Sequence, residues 1–260
     1  MTESRAPVLA ESDGAVRIIR LNYPEKRNAL SLELRAALLA AVENALADGT
    51  VRALVLTGNG GSFCAGGDIS SMQGVTGVGG RERLAGLHRL ARLLAAGPKP
   101  VVAAVEGYAY GAGMSLALLC DQVVAARDAK FCCSFGKVGL MPDMAALWTV
   151  PQRVGAGWAR RLLMLADEID GDTAGRIGLA DQVTEPGGAL AAALELAQRF
   201  AAMAPLPVGY AKAVLARGPQ PLDSLLAQEA DSQALLFTSE DFAEGRDAFL
   251  AKRRPVFSGR

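Results

Sequence analysis

The sequence predicts an α/β fold: a largely parallel sheet wound with helices, followed by a helical C-terminal stretch. Three observations carry this. Short apolar runs, "VRALVLTG", "PVVAAVEG" and "QVVAA", alternate with segments of helical apolar spacing. Start and stop residues flank those segments. From about Gly155 onward the strand signals fade and helical spacing takes over.

In order along the chain, "VLAESDGAVRIIRLN" reads as a hairpin turning near Asp13-Gly14. "SLELRAALLAAVENALADG" reads as a helix that Ser31 can cap, with Gly49 just past its end. After the strand "VRALVLTG" comes a glycine-rich loop, then "GVTGVGG" (74–80), expected as a mobile surface loop or a lid over a site. "RERLAGLHRLARLLAAG" is an amphipathic helix, and its His88 is read as an ordinary surface or helix-packing histidine. "PVVAAVEG" and "QVVAA" are strands around a small-residue helix start, "GAGMSLALLCD". "AGWARRLLMLAD", "DTAGRIG", "GGALAAALELAQRFAAMA", "LDSLLAQEADSQALLF" and "SEDFAEGRDAFLAKRRPVF" read as helices, the last with a basic end. Pro205 and Pro207 mark a joint before the last helical segment.

The bulk numbers exclude several function classes. A chain of 260 residues suits one large domain, or one with a small appendage, and 51% hydrophobic residues can fill its core. Lys plus Arg and Asp plus Glu number 27 each, which argues against a nucleic-acid surface. Cys64, Cys120, Cys132 and Cys133 show no C-x-x-C spacing, and one histidine makes a poor zinc set, so they read as reduced, buried thiols. The polar opening "MTESRAPVLAESDGAV" has no signal-peptide core, and no apolar stretch reaches membrane-spanning length unbroken. The expectation is a cytoplasmic protein with neither nucleic acid nor membrane as partner.

Glycine-rich loops suggest nucleotides first, but "GNGGSF" fails G-x-G-x-x-G and no G-x-x-x-x-G-K-[ST] occurs. "GMSLA" falls short of a G-x-S-x-G elbow, and only His88 could serve it as base. Two loops stand out together, "FCAGGDI" and "EGYAYGAGMSLALLCD". Each follows a strand, is rich in Gly and Ala, and opens into a helix. At one sheet edge, two such turns can aim a pair of backbone N–H groups at a single oxygen, an oxyanion hole.

These segments resemble the crotonase, or enoyl-CoA hydratase/isomerase, superfamily. The resemblance covers most of the chain through "NYPEKRNAL" (22–30), "GSFCAGGDI" (61–69), "KPVVAAVEGYAYGAGMSLALLCD" (99–121), "AKFCCSFGKVGLMPD" (129–143) and "AGRIGLADQV" (174–183). It implies a crotonase spiral of βαβ turns over residues 1–200 and a helical trimerisation region over 201–260. It implies a coenzyme A thioester substrate, no separate cofactor, and a homotrimer or a hexamer of two trimers. The thioester oxygen would sit between the backbone N–H groups of Gly67 and Ala112. Ala65 matches a position touching the adenine end of coenzyme A, and Lys26 and Arg27 lie on its phosphate path. Gly66, Asp68, Ile69, Tyr110 and Gly111 belong to the same binding loops. Tyr110, Phe135, Trp148 and Met72 are candidate acyl-pocket walls. Lys252 or Arg253 could meet the 3′-phosphate, across a subunit boundary.

The family's hydratases activate water with two glutamates, and Ser115 and Phe135 stand at those places here. Asp143, in "GLMPD", matches the single acid of the isomerase branch, although the glycines usual after it are replaced by "MAALW". The resemblance therefore implies a double-bond isomerase with Asp143 as its one acid–base group. A hydratase with unusual acid–base groups, a thioester hydrolase and a non-catalytic acyl-CoA-binding protein remain open.

Overall fold

The computed structural model describes residues 6–260. Strands β1 (Val8–Asp13) and β2 (Val16–Leu21) form the hairpin, paired antiparallel from Val8↔Leu21 to Asp13↔Val16. Helix α1 (Leu32–Ala47) starts where the Ser31 side chain accepts a hydrogen bond from the Leu34 N–H, one of the donors a helix start leaves unpaired. Strand β3 (Ala53–Gly58) pairs parallel to β2. Helix α2 (Gly77–Ala96) then leads to β4 (Val101–Val105), parallel to β3.

The expected loop at 74–80 is half helix. Thr76 accepts a hydrogen bond from the Gly79 N–H, and α2 begins at Gly77. Capping and the apolar face farther along outweigh the poor helix propensity of the three glycines in the first turns.

A short strand, β5 (Tyr108–Tyr110), precedes α3 (Ala112–Leu118), β6 (Gln122–Ala126) and β7 (Lys130–Cys132). Helix α4 (Ala146–Arg160) bends at Gly155 and continues as a π-turn over Arg161–Leu165. Beyond it the sequence expectation of helices alone needs correction. Strands β8 (Glu168–Asp170) and β9 (Gln182–Thr184) flank α5 (Gly171–Arg176). Each is too short to carry an alternation signal and exists because a partner strand supplies its hydrogen bonds. For β9 the partner is β6, and the Asp181 carboxylate also accepts from the Val123 N–H.

The main sheet runs β1-β2-β3-β4-β6-β9, parallel apart from the hairpin, and a smaller sheet runs β5-β7-β8. Helix α6 (Ala189–Ala201) covers one face with an alanine stripe, Ala189, Ala193 and Ala197, that lets the helix approach Val16, Val55, Val102 and Val124. The other face meets α1 and α2 through Leu34, Leu38, Leu90 and Leu94. Helix α7 (Pro205–Leu215), where the sequence suggested only a joint, takes Pro205 at its first helical position. Its buried Lys212 donates to Asp121 Oδ2 at 2.6 Å and to the Lys99 carbonyl at 2.9 Å, tying α7 to the start of β4. Helices α8 (Leu222–Leu236) and α9 (Glu240–Leu250) follow, and α9 stops before the basic residues expected at its end. All four cysteines are buried and unpaired. No described helix is long and apolar enough to cross a membrane.

Candidate active site

The segment after β3 is held on both sides. On one side, Ala65 N donates to Arg27 O at 2.9 Å and Leu30 N to Gly66 O at 2.7 Å. Arg27 and Asn28 adopt left-handed φ values, and the buried Asn28 amide donates to the Asn59 and Ser62 carbonyls. Asn28, not singled out from the sequence, thus fixes the turn that shapes the loop. On the other side, Cys64 N donates to Tyr108 O at 2.8 Å and Tyr110 N to Cys64 O at 2.9 Å.

Glycine is required where these loops meet. Gly66 has φ +100°, and a Cβ there would lie 2.7 Å from the Tyr110 carbonyl oxygen and 3.6 Å from the Ala112 nitrogen. The two loops therefore abut backbone to backbone. Ala112 is the first residue of α3, whose opening N–H groups have no intrahelical acceptor. Among the described residues, neither the Gly67 nor the Ala112 N–H donates to a protein acceptor. Two donors held rigidly by neighbouring loops can take up charge developing on one oxygen without reorganising.

Beside Gly67 opens a cavity of about 860 Å³. Met72 and Arg35 connect the two: a Cβ on Gly67 would lie 2.9 Å from Met72 Cε and 3.4 Å from an Arg35 Nη. Asp143 lies in the wall, with Oδ1 buried and without a hydrogen-bond partner among the described residues. Burial raises its pKa above the ordinary carboxylate value, while the charges of Arg35 and His88 act in the opposite direction.

Asp143 is followed by Met144 (φ 49°) and Ala145 (φ 62°), both left-handed, before α4 begins. That is the backbone glycine adopts at no steric cost, so the "MAALW" stretch keeps the turn and stores strain in it.

The other sequence candidates fall into groups. Trp148 lines the cavity wall. Asp68 caps the short 3-10 turn Ile69–Met72 by accepting from the Ser70 N–H, and its other oxygen lies 3.6 Å from Lys26 Nζ. The Ser70 hydrogen bond holds its pKa below the ordinary value; burial opposes this, and the Lys26 charge adds to the lowering. Ile69 is exposed. The Arg27 guanidinium stacks 4.6 Å from the Tyr108 ring centroid. The Tyr110 hydroxyl donates to Glu168, so this tyrosine is tied to the small sheet. Ser115 is fully buried, and its hydroxyl donates back to the Gly111 carbonyl at 3.3 Å. Phe135 packs against the Gly111 side of the loop and is not part of the cavity lining. Lys252 lies beyond α9, also outside that lining.

The structure brings two arginines and a histidine to the site. Arg35 of α1 and Arg83 and His88 of α2 all line the cavity, where His88 is an exposed side chain at its wall. In sequence they stand on the polar sides of ordinary amphipathic helices, and only the crossing of α1 and α2 turns them toward Asp143. No group of three or more potential metal ligands occurs among the described residues.

The layered sheet, the small second sheet and the paired backbone donors define a crotonase-fold protein. The sequence profile of the enoyl-CoA hydratase/isomerase family matches residues 11–260, and the chain belongs to that family of acyl-CoA enzymes. It is 37% identical over 259 residues to the 1,2-epoxyphenylacetyl-CoA isomerase of Escherichia coli (strain K12), covering 97% of this chain and 98% of the relative. To the crotonyl-CoA hydratase of Syntrophomonas wolfei it is 36% identical, covering 96% and 97%. The crystal structure of an enoyl-CoA hydratase from Polaromonas sp. JS666 superposes with a TM-score of 0.91 at 36% identity, covering 96% of this chain and 99% of that one.

Proposed function

We propose that this enzyme moves a carbon–carbon double bond along an enoyl-CoA ester, with Asp143 as the single proton carrier. The observation that carries the reading is the buried, unpartnered Oδ1 of Asp143 in the cavity beside Gly67. Asp143 removes a proton from one carbon of the acyl chain. The electron pair delocalises through the double bond onto the thioester oxygen, where the Gly67 and Ala112 N–H groups receive it. Asp143 then returns the proton two carbons away, and the double bond has shifted. One carboxylate suffices, and no water needs to be activated.

Two features favour isomerisation over hydration. The Ser115 hydroxyl is turned back to its own helix, and Phe135 has no acid–base chemistry, so neither supplies a second carboxylate at the positions the family's hydratases use. The Escherichia coli relative is named for isomerising an epoxide-bearing acyl-CoA, which shares the reaction class but not the double-bond shift, and the hydratase name of the Syntrophomonas relative marks the competitor. Coenzyme A enters as part of the substrate. The Lys26–Asp68 contact and the Ala65–Arg27 hydrogen bond join these residues to the Gly66–Asp68 loop, which supports a role for Lys26, Arg27 and Ala65 along the coenzyme path, and Lys252 would reach it from a neighbouring subunit. A trimer, or a dimer of trimers, would cover the exposed apolar side chains of the 201–260 region, among them Leu226, Leu235, Phe237 and Phe249. Sedimentation velocity should give a trimer or hexamer; a stable monomer would count against the assembly.

The deciding experiment is product analysis on paired 2-enoyl- and 3-enoyl-CoA esters. Interconversion of the pair without a hydroxyacyl product is the expected outcome. Hydroxyacyl-CoA as the main product from crotonyl-CoA would replace this reading with a hydratase.

A further inference from the structure

Arg35 and Arg83 enter the cavity from neighbouring helices, and neither makes an ion pair with a described residue. Arg35 Nε donates to the Leu30 carbonyl at 2.9 Å, which leaves both Nη groups available. Arg83 is pinned at 3.0 Å by its Nη groups to the carbonyl and the hydroxyl of Ser71, which fixes the guanidinium and leaves N–H groups over. Most of the surrounding wall is apolar: Val75, Leu84, Leu140, Met141 and Leu147. Burial, then the charge of Arg83, hold the Arg35 pKa below its ordinary value, so the two guanidiniums repel one another. Among the described residues, the only carboxylate in the lining is Asp143, which forms no ion pair with them and which the proposed catalysis requires for the proton. Two fixed cations and the imidazole of His88 against one acid leave the cavity short of negative charge, in a chain whose net charge is zero. An all-hydrocarbon acyl chain would bury those cations unpaired, at a cost in binding.

We propose that the substrate's acyl group carries a carboxylate of its own, held between Arg35 and Arg83. Planar guanidinium groups match a carboxylate with paired N–H donors, and charge-assisted bonds of this kind are roughly twice as strong as neutral ones. The substrate class is then the enoyl-CoA monothioester of a dicarboxylic acid. This rests on the acyl-CoA isomerase reading above and deepens it.

The test compares enoyl-CoA esters of linear dicarboxylic acids with monocarboxylic esters of equal chain length. The readout is the ratio of kcat/KM within each pair. At one or more chain lengths the carboxylated ester should win by at least about tenfold, and Arg83→Met should bring that ratio toward unity. Arg35→Met should act in the same direction, which covers the case of one variant failing to fold. A wild-type ratio at or below one at every length overturns the proposal. So does a folded Arg83→Met enzyme that loses the same factor on both members of a pair, because the arginine would then serve the thioester and not the acyl chain. Calorimetry with the saturated carboxyacyl-CoA and acyl-CoA pair separates this from the isomerase reading. If no ester is isomerised yet the carboxylated analogue binds at least tenfold tighter, the isomerase reading fails and the carboxylate site stands.

Discussion

Asp143 and Arg35 line the same cavity yet form no ion pair. Asp143 Oδ1 is buried without a partner, while Arg35 Nε is committed to the Leu30 carbonyl. A carboxylate with a positive neighbour close enough to be felt but not paired keeps its lone pairs available for a proton. Burial raises its basicity, and the cation moderates the rise.

Asp143→Asn should therefore lower isomerisation by about 10²–10⁴-fold, the usual worth of a positioned general base. Acyl-CoA binding, measured by calorimetry, should stay close to wild type, because the proposed coenzyme contacts Lys26, Arg27 and Ala65 lie outside the lining of the Asp143 cavity. The wild-type kcat/KM should rise with pH through a carboxylate pKa above the ordinary 3.8. The residual activity of the variant should lack that limb. Near-normal turnover by Asp143→Asn would remove Asp143 from the mechanism.

The same substitution should stabilise the fold at neutral pH. Because the folded-state pKa of Asp143 is raised, folding binds its proton more tightly than the unfolded chain does. That contribution is fully present below the unfolded value and is lost as pH rises through the folded one. Thermal melts should show Asp143→Asn gaining on wild type with increasing pH, then levelling off. A difference that shrinks with increasing pH would contradict the burial assigned to this carboxylate.

Ala112→Pro removes one backbone donor and little else. Ala112 is the first helical residue of α3, where proline is well tolerated and its N–H has no helical partner to lose. The variant should fold, with circular dichroism unchanged, and lose about 10²–10³-fold in kcat, as expected for loss of an oxyanion donor. Full activity in a folded Ala112→Pro protein would exclude this N–H from the reaction.

Ala145→Gly should raise stability by roughly 0.5–1 kcal/mol. Ala145 sits at φ 62°, where an L side chain costs about 1–2 kcal/mol and glycine nothing, less the extra freedom glycine has when unfolded. Denaturant unfolding would measure it. Met144 is the poorer test, since its side chain is fully buried and would leave a cavity. A loss of stability in Ala145→Gly would mean that the turn stores no relievable strain.

The sequence by itself determined whatever depends on local periodicity and capping. The hairpin at Asp13-Gly14, the Ser31 cap of α1, the apolar strands β3, β4 and β6, and the abrupt glycine turns of the two loops are all visible as patterns of neighbouring residues. The tertiary structure alone decided what depends on partners distant in the chain. Strands β8 and β9 owe their conformation to β7 and β6. The buried Lys212 owes its place to Asp121, ninety-one positions away. Asp143 could be picked out along the chain, but its surroundings could not. Arg35, Arg83 and His88 reach its cavity from two helices whose sequences read as ordinary solvated faces. A side chain's spacing reports which face of its own helix it occupies. Which other element meets that face is set by packing between segments, and this is where the charge of the site was decided.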